Sequence, residues 1–276
     1  MATKTMYQKA IVSFIDILGF RDLIKNSDWS VVLKALNKVK KAASPVSLDD
    51  EEEQDDFAQV VSFSDSIVRV RKIETEANKK SPGGLLFQEI ISLVHAQGEL
   101  IDFDIVVRGG ITIGEIFISE NIVFGPGVIK AYELENKYAK YPRIILDPEL
   151  IHEYKNNNLL KAQWHDLQEE SEILTSMLKQ GDDGMWFVNY AKAIETELDD
   201  LDMYPIFLKR HKEVILAGAK HHEKLNDVLS KFIWMAHYHN QLVSKIEKKW
   251  FKYYSLKIND LLINSEELPA LQYMNP

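Results

Sequence analysis

The stretch FIDILGF, residues 14–20, decides how this chain folds. The residues from 9 to 17 form a short apolar run with several β-branched side chains, which predicts a β-strand, and Gly19 ends it. Asp16 lies inside that strand. A carboxylate in an apolar strand is costly to bury unless something pairs with it. The stretch therefore predicts a strand that carries a functional carboxylate.

A second strand repeats this arrangement. The segment VVSFSDSIV, residues 60–68, is apolar around a lone Asp65. Two carboxylates on neighbouring strands can share a divalent cation, which offsets the cost of burial and creates a site for phosphates. The alternative is that both aspartates are turn or cap residues at strand ends. That alternative is favoured for either aspartate alone, whereas the pair favours a metal site.

The composition narrows the classes of partner and site. The chain has 276 residues, 46% of them hydrophobic, with a net charge of -9 and no cysteine. This charge argues against nucleic acid or an anionic membrane as the main partner, and the lack of cysteine excludes disulfides and thiolate metal sites. The N-terminus lacks an apolar stretch typical of a signal peptide, and no window reaches transmembrane length. The expectation is a soluble cytoplasmic protein.

The order of the remaining elements predicts an α+β fold. A β-hairpin is expected around Asp65, over 57–73. The other predicted elements are helices over 21–41, 85–98 and 128–138 and strands over 103–107, 110–118, 143–146 and 186–190. The order β-α-β-β-α-β is that of a ferredoxin-like core, which places the first strand beside the hairpin. We therefore expect Asp16 and Asp65 to meet.

The character of the chain changes near residue 201. The segments 205–219 and 221–249 read as two long helices, and no strand pattern follows them. We predict a catalytic domain over 5–200 and a helical C-terminal segment over 201–276.

These motifs together resemble the class III nucleotide cyclases, the family of adenylyl and guanylyl cyclases. The resemblance covers roughly residues 7–150, and FIDILGF matches the family motif F-x-D-I-x-G-F. It implies a ferredoxin-like class III cyclase core in which Asp16 and Asp65 are the catalytic residues and bind two Mn²⁺ or Mg²⁺ ions. The backbone carbonyl of Ile17 is implied as a ligand of the second ion.

The same resemblance implies the contacts to the substrate's phosphates. The turn at Leu18, Gly19 and Phe20 is expected to cradle the triphosphate with backbone N–H groups. The family stretch R-x-G-I-x-x-G implies Arg108 as a phosphate contact. It is matched at Arg108, Gly110, Ile111 and Gly114, and the family's G-x-x-V-N-x-A-x-R-L motif is matched at Gly125, Val128, Ala131 and Leu134.

The departures from the family pattern concern the base and the transition state. The family asparagine falls on Ile129 and the family arginine on Glu133, with Lys130, Lys137 and Arg143 as candidate replacements for that arginine. The residues that read a purine fall near Val61 and Ile122, both apolar, whereas a purine reader needs matched polar groups. Serine also replaces the usual glycine at Ser64.

This pattern resembles the pyrimidine cyclases of the bacterial Pycsar antiphage systems. That resemblance implies conversion of UTP or CTP to a cyclic nucleotide that signals to a separate effector protein, with UTP favoured. It also implies a head-to-tail homodimer, in which the metal residues of one chain face the base-reading region of the other. The nucleoside triphosphate is then the expected substrate, without nucleic acid or membrane as partner.

Three other functions stay open at this point. The first is a CTP-specific cyclase or a purine cyclase whose base is read by other residues. The second is a cyclase-like module that binds a nucleotide without turnover, which the changes at Ile129 and Glu133 motivate. The third is a dinucleotide cyclase of the palm type, although 62–68 does not supply the signature loop of that class.

Overall fold

The computed structural model describes residues 7–44, 58–76, 78, 83–119, 122–162, 166–198, 200, 202–246 and 257–272. The chain divides into two compact units. The first contains residues up to 100 together with 105–190, and the second contains 101–104 together with the residues after 190. The domain division predicted at residue 200 stays a prediction.

The first unit is built on one mixed sheet. Its strands are β1 (Gln8–Ile17), β2 (Gln59–Phe63), β3 (Ser66–Lys72), β4 (Val107–Ser119), β5 (Ile122–Phe124), β6 (Ile144–Leu146), β7 (Leu178–Gln180) and β8 (Trp186–Val188). The strand order is β2-β3-β1-β4-β6-β8-β7, and β5 pairs with β4. Only β4 and β6 pair in parallel among these strands.

The helices of the first unit lie between these strands in the chain. They are α1 (Phe20–Asn26), α2 (Trp29–Ala43), α3 (Leu85–Ile101), α4 (Pro126–Tyr138), α5 (Pro148–Asn156) and α6 (Leu167–Ser176). The succession β1-α2-β2-β3-α3-β4 and the antiparallel order β2-β3-β1-β4 are those of a ferredoxin-like core. The predicted α+β fold with this core is confirmed.

The two faces of the sheet are covered by different helices. Alternation along β1 sends Ser13 to one face, where it donates to Glu89 of α3. The next residue, Phe14, points to the other face, where Ala10, Val12 and Ala131 of α4 form an apolar core. Asp16 lies two residues after Phe14 and points to the same side of the sheet, so it lies on the face that α4 covers.

Gly110 allows α4 to sit close to the sheet. A Cβ atom at Gly110 would lie 2.5 Å from Leu134 Cβ and 2.9 Å from the Ala131 carbonyl oxygen. Real side chains cannot approach so closely, so the position requires glycine for steric reasons. The glycine in the motif that contains Arg108 thus brings α4 near the strand ends that carry the site.

Four predicted elements differ from the structure. The single helix expected over 21–41 is two helices, because the chain is extended at Ser27 and Asp28. The strands expected over 103–107 and 110–118 form one strand, β4, which begins at Val107 and contains Arg108. Gly98 does not end α3, which continues to Ile101. In each case the packing of the whole segment overrides a local propensity signal.

The second unit is helical in its described part. It contains α7 (Tyr190–Glu197), α8 (Met203–His221), α9 (Asn226–Val243) and the short α10 (Ile258–Leu261). Buried His211 and His239 join α8 to α9, with their Nδ1 atoms 2.9 Å apart. The predicted helical C-terminal extension is confirmed. Among the helices described in either unit, none has the length and apolar character needed to cross a membrane.

Candidate functional site

The site is centred on Asp16, at the end of β1. In the sheet register Asp16 lies opposite Ser66 of β3 on one side and Arg108 of β4 on the other. The Ser66 hydroxyl donates to Asp16 Oδ1 at 3.3 Å, and Arg108 Nη2 donates to Oδ2 at 3.4 Å. Three polar side chains therefore form a row across three strands, on the face covered by α4.

Asp65 reaches the same place from the turn between β2 and β3. Ser64 precedes it with a φ of 53°, in the left-handed region that is uncommon for residues other than glycine. The carbonyl oxygen of Asp65 accepts a hydrogen bond of 3.3 Å from the backbone N–H of Ile17. The negative charge of the Asp65 carboxylate raises the pKa of Asp16, so the two carboxyl groups lie close enough to interact. The structure thus brings together the two aspartates that the sequence singles out.

The surroundings of Asp16 disfavour the ionised form of its carboxyl group. Its pKa is raised from 3.8 to about 7, first by burial and then by the negative charges of Asp65 and Glu135, while Arg108 acts in the opposite direction. A bound cation would stabilise the ionised form of Asp16, because it would replace the lost hydration and offset the negative charges nearby. A raised pKa of this kind is expected for a pair of metal-binding carboxylates in the absence of the metal.

Glu135 is the residue that the sequence analysis missed. Its side chain, only 4% exposed, projects from α4 and places Oε1 2.6 Å from Arg108 Nη2. A signal for it does exist in the sequence: Val128, Ala131 and Glu135 have the spacing of one helical face, which is otherwise apolar. A charged residue on the buried stripe of an amphipathic helix needs a partner, and here that partner is Arg108.

The turn after β1 is shaped by Gly19, which has a φ of 77° and precedes α1. The backbone N–H of Leu18 donates to the Val106 carbonyl oxygen at 2.9 Å. A backbone contact to phosphate from this turn would therefore have to come from Gly19 or Phe20. Of the three residues expected from the sequence, Leu18 already uses its N–H group. The side chain of Phe20 is buried and anchors the turn.

The three cations considered as replacements for the family arginine lie in other ion pairs. Lys130 contacts Asp147 at 2.6 Å and also contacts Glu149, and these hydrogen bonds raise its pKa although burial acts in the opposite direction. The other two pairs are Lys137 with Glu133 and Arg143 with Asp183. Arg108 is the cation that contacts Asp16.

The two positions that replace the purine readers lie apart from each other. Val61 pairs with Val68 on β3, which pairs with Phe14, so Val61 shares the face of Asp16. Ile122 pairs with Ser119, eleven residues along β4 from Arg108. At about 3.3 Å per residue this separation is roughly 35 Å within one chain. One chain therefore does not bring Ile122 to Asp16.

The residues present fit a divalent cation. Two carboxylates meet at a partly buried point, and burial of Asp16 beside like charges is unfavourable unless a cation is added. Oxygen donors of this kind suit Mg²⁺ and Mn²⁺. Asp16 and Asp65 would hold the ions, with the carbonyl of Ile17 as a further oxygen donor.

Comparison with known proteins finds similarity at the level of structure alone. No protein-family model matches the sequence, and no curated protein matches it either. The guanylyl cyclase domain of the RhoGC fusion protein from the aquatic fungus Blastocladiella emersonii is 16% identical with a TM-score of 0.41, over 66% of this chain and 95% of that chain. The guanylyl cyclase Cya2 is 15% identical with a TM-score of 0.41, over 66% and 92%.

A bacterial light-regulated adenylyl cyclase is also similar, at 14% identity and a TM-score of 0.43, over 76% of this chain and 59% of that chain. All three of these structures are nucleotide cyclases. The scores are too low to support an argument about the activity of this chain. The functional case therefore rests on the geometry of Asp16, Asp65, Arg108 and Glu135.

Proposed function

We propose that this chain is a nucleotide cyclase, a phosphorus–oxygen lyase, that uses two divalent cations to convert UTP into 3′,5′-cyclic UMP and pyrophosphate. The observation that carries the proposal is the placement of Asp16 and Asp65 beside each other at one end of the sheet, where the charge of one raises the pKa of the other. Each comes from a different strand segment and each lies within apolar sequence. A purely structural role would leave the unfavourable burial of Asp16 without a purpose.

The reaction needs little from the protein beyond charge and position. The ribose 3′-hydroxyl oxygen forms a bond to the α-phosphorus while the bond between that phosphorus and the bridging oxygen of the β-phosphate breaks. The hydroxyl proton passes to water, and pyrophosphate leaves. When bound, Mn²⁺ or Mg²⁺ would lower the pKa of that hydroxyl and neutralise charge on the triphosphate. Asp16, Asp65 and the Ile17 carbonyl would hold the ions in place, and the turn at Gly19 and Phe20 would offer backbone donors to phosphate oxygens.

Arg108 is the proposed phosphate contact. Its side chain is 21% exposed beside Asp16, so it is not fully enclosed by the carboxylates. A guanidinium carries five N–H donors, so it can contact a phosphate oxygen while Nη2 stays near Glu135. Arg108 would then orient the α-phosphate rather than take part in proton transfer.

The preference for a pyrimidine rests on the apolar side chains at Val61 and Ile122. A site that distinguishes adenine or guanine must offer matched hydrogen-bonding groups, and neither residue has one. Lys130, the remaining candidate for a base or transition-state contact, would have to leave Asp147 and Glu149 to reach a substrate. UTP is favoured through the resemblance to pyrimidine cyclases, with CTP as the alternative.

The proposal includes a homodimer with sites between the chains. Ile122 is 61% exposed and Ile129 is 62% exposed, and both lie in the region that the family resemblance assigns to base contacts in the opposite chain. Exposed apolar side chains of this size favour a partner surface. The product would act as a second messenger for a separate effector in antiphage defence, as in the systems that the sequence resembles.

The decisive experiment incubates the purified chain with each of the four ribonucleoside triphosphates and Mn²⁺ and resolves the products by mass. Cyclic UMP from the wild type, and none from Asp65→Asn, is the expected result. Asp28→Asn is the matched control, because Asp28 is exposed and its side chain forms no cap hydrogen bond. Turnover that persists in Asp65→Asn would refute the two-metal site, and a purine product would refute the reading of Val61 and Ile122.

A second candidate function is nucleotide binding without turnover. The observation that favours it is Glu133, which stands where the family has a transition-state arginine and which pairs with Lys137. This function predicts that the wild type binds UTP in the presence of Mn²⁺ but releases no pyrophosphate.

A further inference from the structure

Glu135 is a buried carboxylate that the proposed chemistry leaves without a role. It projects from α4 toward the row formed by Ser66, Asp16 and Arg108. Its side chain is only 4% exposed, and a buried charge is unfavourable unless an opposite charge lies beside it. Here the opposite charge is Arg108, and the same guanidinium also contacts Asp16.

The two contacts of Arg108 are unequal. Nη2 lies 2.6 Å from Glu135 Oε1 and 3.4 Å from Asp16 Oδ2. The first distance is that of a tight ion pair, whereas the second is at the long end for a hydrogen bond. The Ala139 carbonyl oxygen accepts a further bond of 3.4 Å from Nη1. Of the two carboxylates, Glu135 on α4 is therefore the closer to Arg108, and Asp16 is the more distant.

This arrangement matters for a cation at Asp16. An arginine that paired fully with Asp16 would neutralise the carboxylate and would repel an incoming Mn²⁺. In the structure the charge of Arg108 is balanced by Glu135. Asp16 therefore keeps its capacity to bind a cation, and Arg108 stays within reach of a phosphate.

We propose that Glu135 is a positioning residue that draws the Arg108 guanidinium toward α4, so that its contact with Asp16 stays long and Asp16 stays available to a divalent cation. This inference rests on the proposed metal site. Glu135 acts through Arg108 and is not itself a metal ligand. The prediction that separates these two roles is suppression: removal of Arg108 restores the metal binding that is lost when Glu135 is neutralised.

The test measures Mn²⁺ binding without nucleotide, from the loss of the free-ion signal in electron paramagnetic resonance. Glu135→Gln is expected to weaken binding by about tenfold or more, as the loss of residues that orient metal ligands does. Glu133→Gln is the matched control, since Glu133 lies on the same helix but is exposed and pairs only locally with Lys137. It is expected to bind like the wild type.

The double variant Arg108→Gln with Glu135→Gln is expected to recover binding to nearly the wild-type level. A double variant as weak as Glu135→Gln would show that Glu135 binds the ion directly, and wild-type binding in Glu135→Gln would show that it has no part; either result overturns the inference. If neither the wild type nor Glu133→Gln binds Mn²⁺, the proposed metal site itself fails. Glu135→Asp, alone and with Arg108→Gln, repeats the comparison with the charge kept, should Glu135→Gln not fold.

Discussion

Ser64 controls how Asp65 is presented to the site. Its φ of 53° lies in the left-handed region, where an L-residue with a Cβ atom is strained by about 1–2 kcal/mol. The turn places the Asp65 carbonyl against the backbone N–H of Ile17 and its carboxyl group against that of Asp16. The family that the sequence resembles has glycine here, and the observed φ explains why glycine suits the position.

Ser64→Gly should stabilise the protein while leaving the site intact. The relief of strain exceeds the extra entropy that glycine adds to the unfolded chain, so the expected gain is about 0.5–1 kcal/mol in the free energy of unfolding. Urea denaturation measures it through the midpoint. Ser62→Gly is the matched control, because Ser62 lies in strand β2, where glycine should destabilise by a similar amount. If both variants lose stability, the turn is not held in the left-handed conformation.

The residue scale also shows what sequence reasoning can reach in the site. Asp16 and Asp65 stand out because each interrupts an apolar strand, so their sequence context alone marks them as costly. The Arg108–Glu135 pair does not stand out, because it joins a strand and a helix that are 27 positions apart in the chain and meet only when α4 packs on β4. Such a contact depends on tertiary packing and on Gly110, which no local pattern specifies.

At the scale of elements, helix α3 is fixed to the sheet by a buried ion cluster. Glu89 accepts hydrogen bonds from Ser13 of β1 and from Arg69 of β3, and Arg71 of β3 adds a further bond at 3.3 Å. Arg69 also donates to the carbonyl oxygen of Ala43 at the end of α2. Glu89 therefore joins α3 to two strands, and Arg69 extends the cluster to α2.

Glu89→Gln should destabilise the fold strongly. It leaves Arg69 and Arg71 buried without their counter-charge, and loss of one partner from a buried ion pair costs about 3–5 kcal/mol. Chemical denaturation at neutral pH measures the loss. Glu99→Gln is the control, because Glu99 is exposed on the same helix and should change stability little. Equal stabilities for the two variants would contradict a cohesive role for the cluster.

The same cluster predicts a pH dependence with a definite sign. Burial alone would raise the pKa of Glu89, but Arg69, Arg71 and Ser13 outweigh it and lower the pKa from 4.5 to about 2. A depressed pKa means that the unfolded chain binds the proton first. The stability contributed by Glu89 is therefore fully present above pH 4.5 and declines as the pH falls from there toward 2. The difference between the wild type and Glu89→Gln should narrow across that window.

Element order was predictable from the sequence to a greater extent than element boundaries. The ferredoxin-like succession follows from alternating strand and helix periodicities, which the hydrophobic pattern records directly. The break at Ser27 and Asp28 was not predicted, because the apolar positions of α1 and α2 continue the same helical spacing across it. The start of β4 at Val107 was missed because the two glycines after Arg108 resemble a turn, whereas Gly109 lies against the backbone of β1 and Gly110 allows the close approach of α4.

At the scale of the whole molecule, the first unit exposes an apolar surface formed by β5 and α4. Its exposed side chains are Ile122, Phe124, Ile129 and Tyr132. Phe124 stacks on Phe117 and Tyr132 packs edge-on against Phe14, so these rings are ordered although they face outward. Burial of a large apolar side chain contributes about 1.5–3 kcal/mol, which makes this surface a strong candidate for the proposed contact between two chains.

Ile129→Glu should convert the proposed dimer into a monomer. The change places a charge within this surface, and in a symmetric dimer each substitution acts twice. Sedimentation velocity measures the mass in solution, and Ile24→Glu is the matched control, because Ile24 is 54% exposed on α1, outside the surface. Because the proposed site takes its base contacts from the second chain, Ile129→Glu should also lose cyclic nucleotide formation while Asp16 and Asp65 still bind Mn²⁺. A monomeric wild type with full activity would place the complete site within one chain, which the separation of roughly 35 Å along β4 between Arg108 and Ile122 does not accommodate.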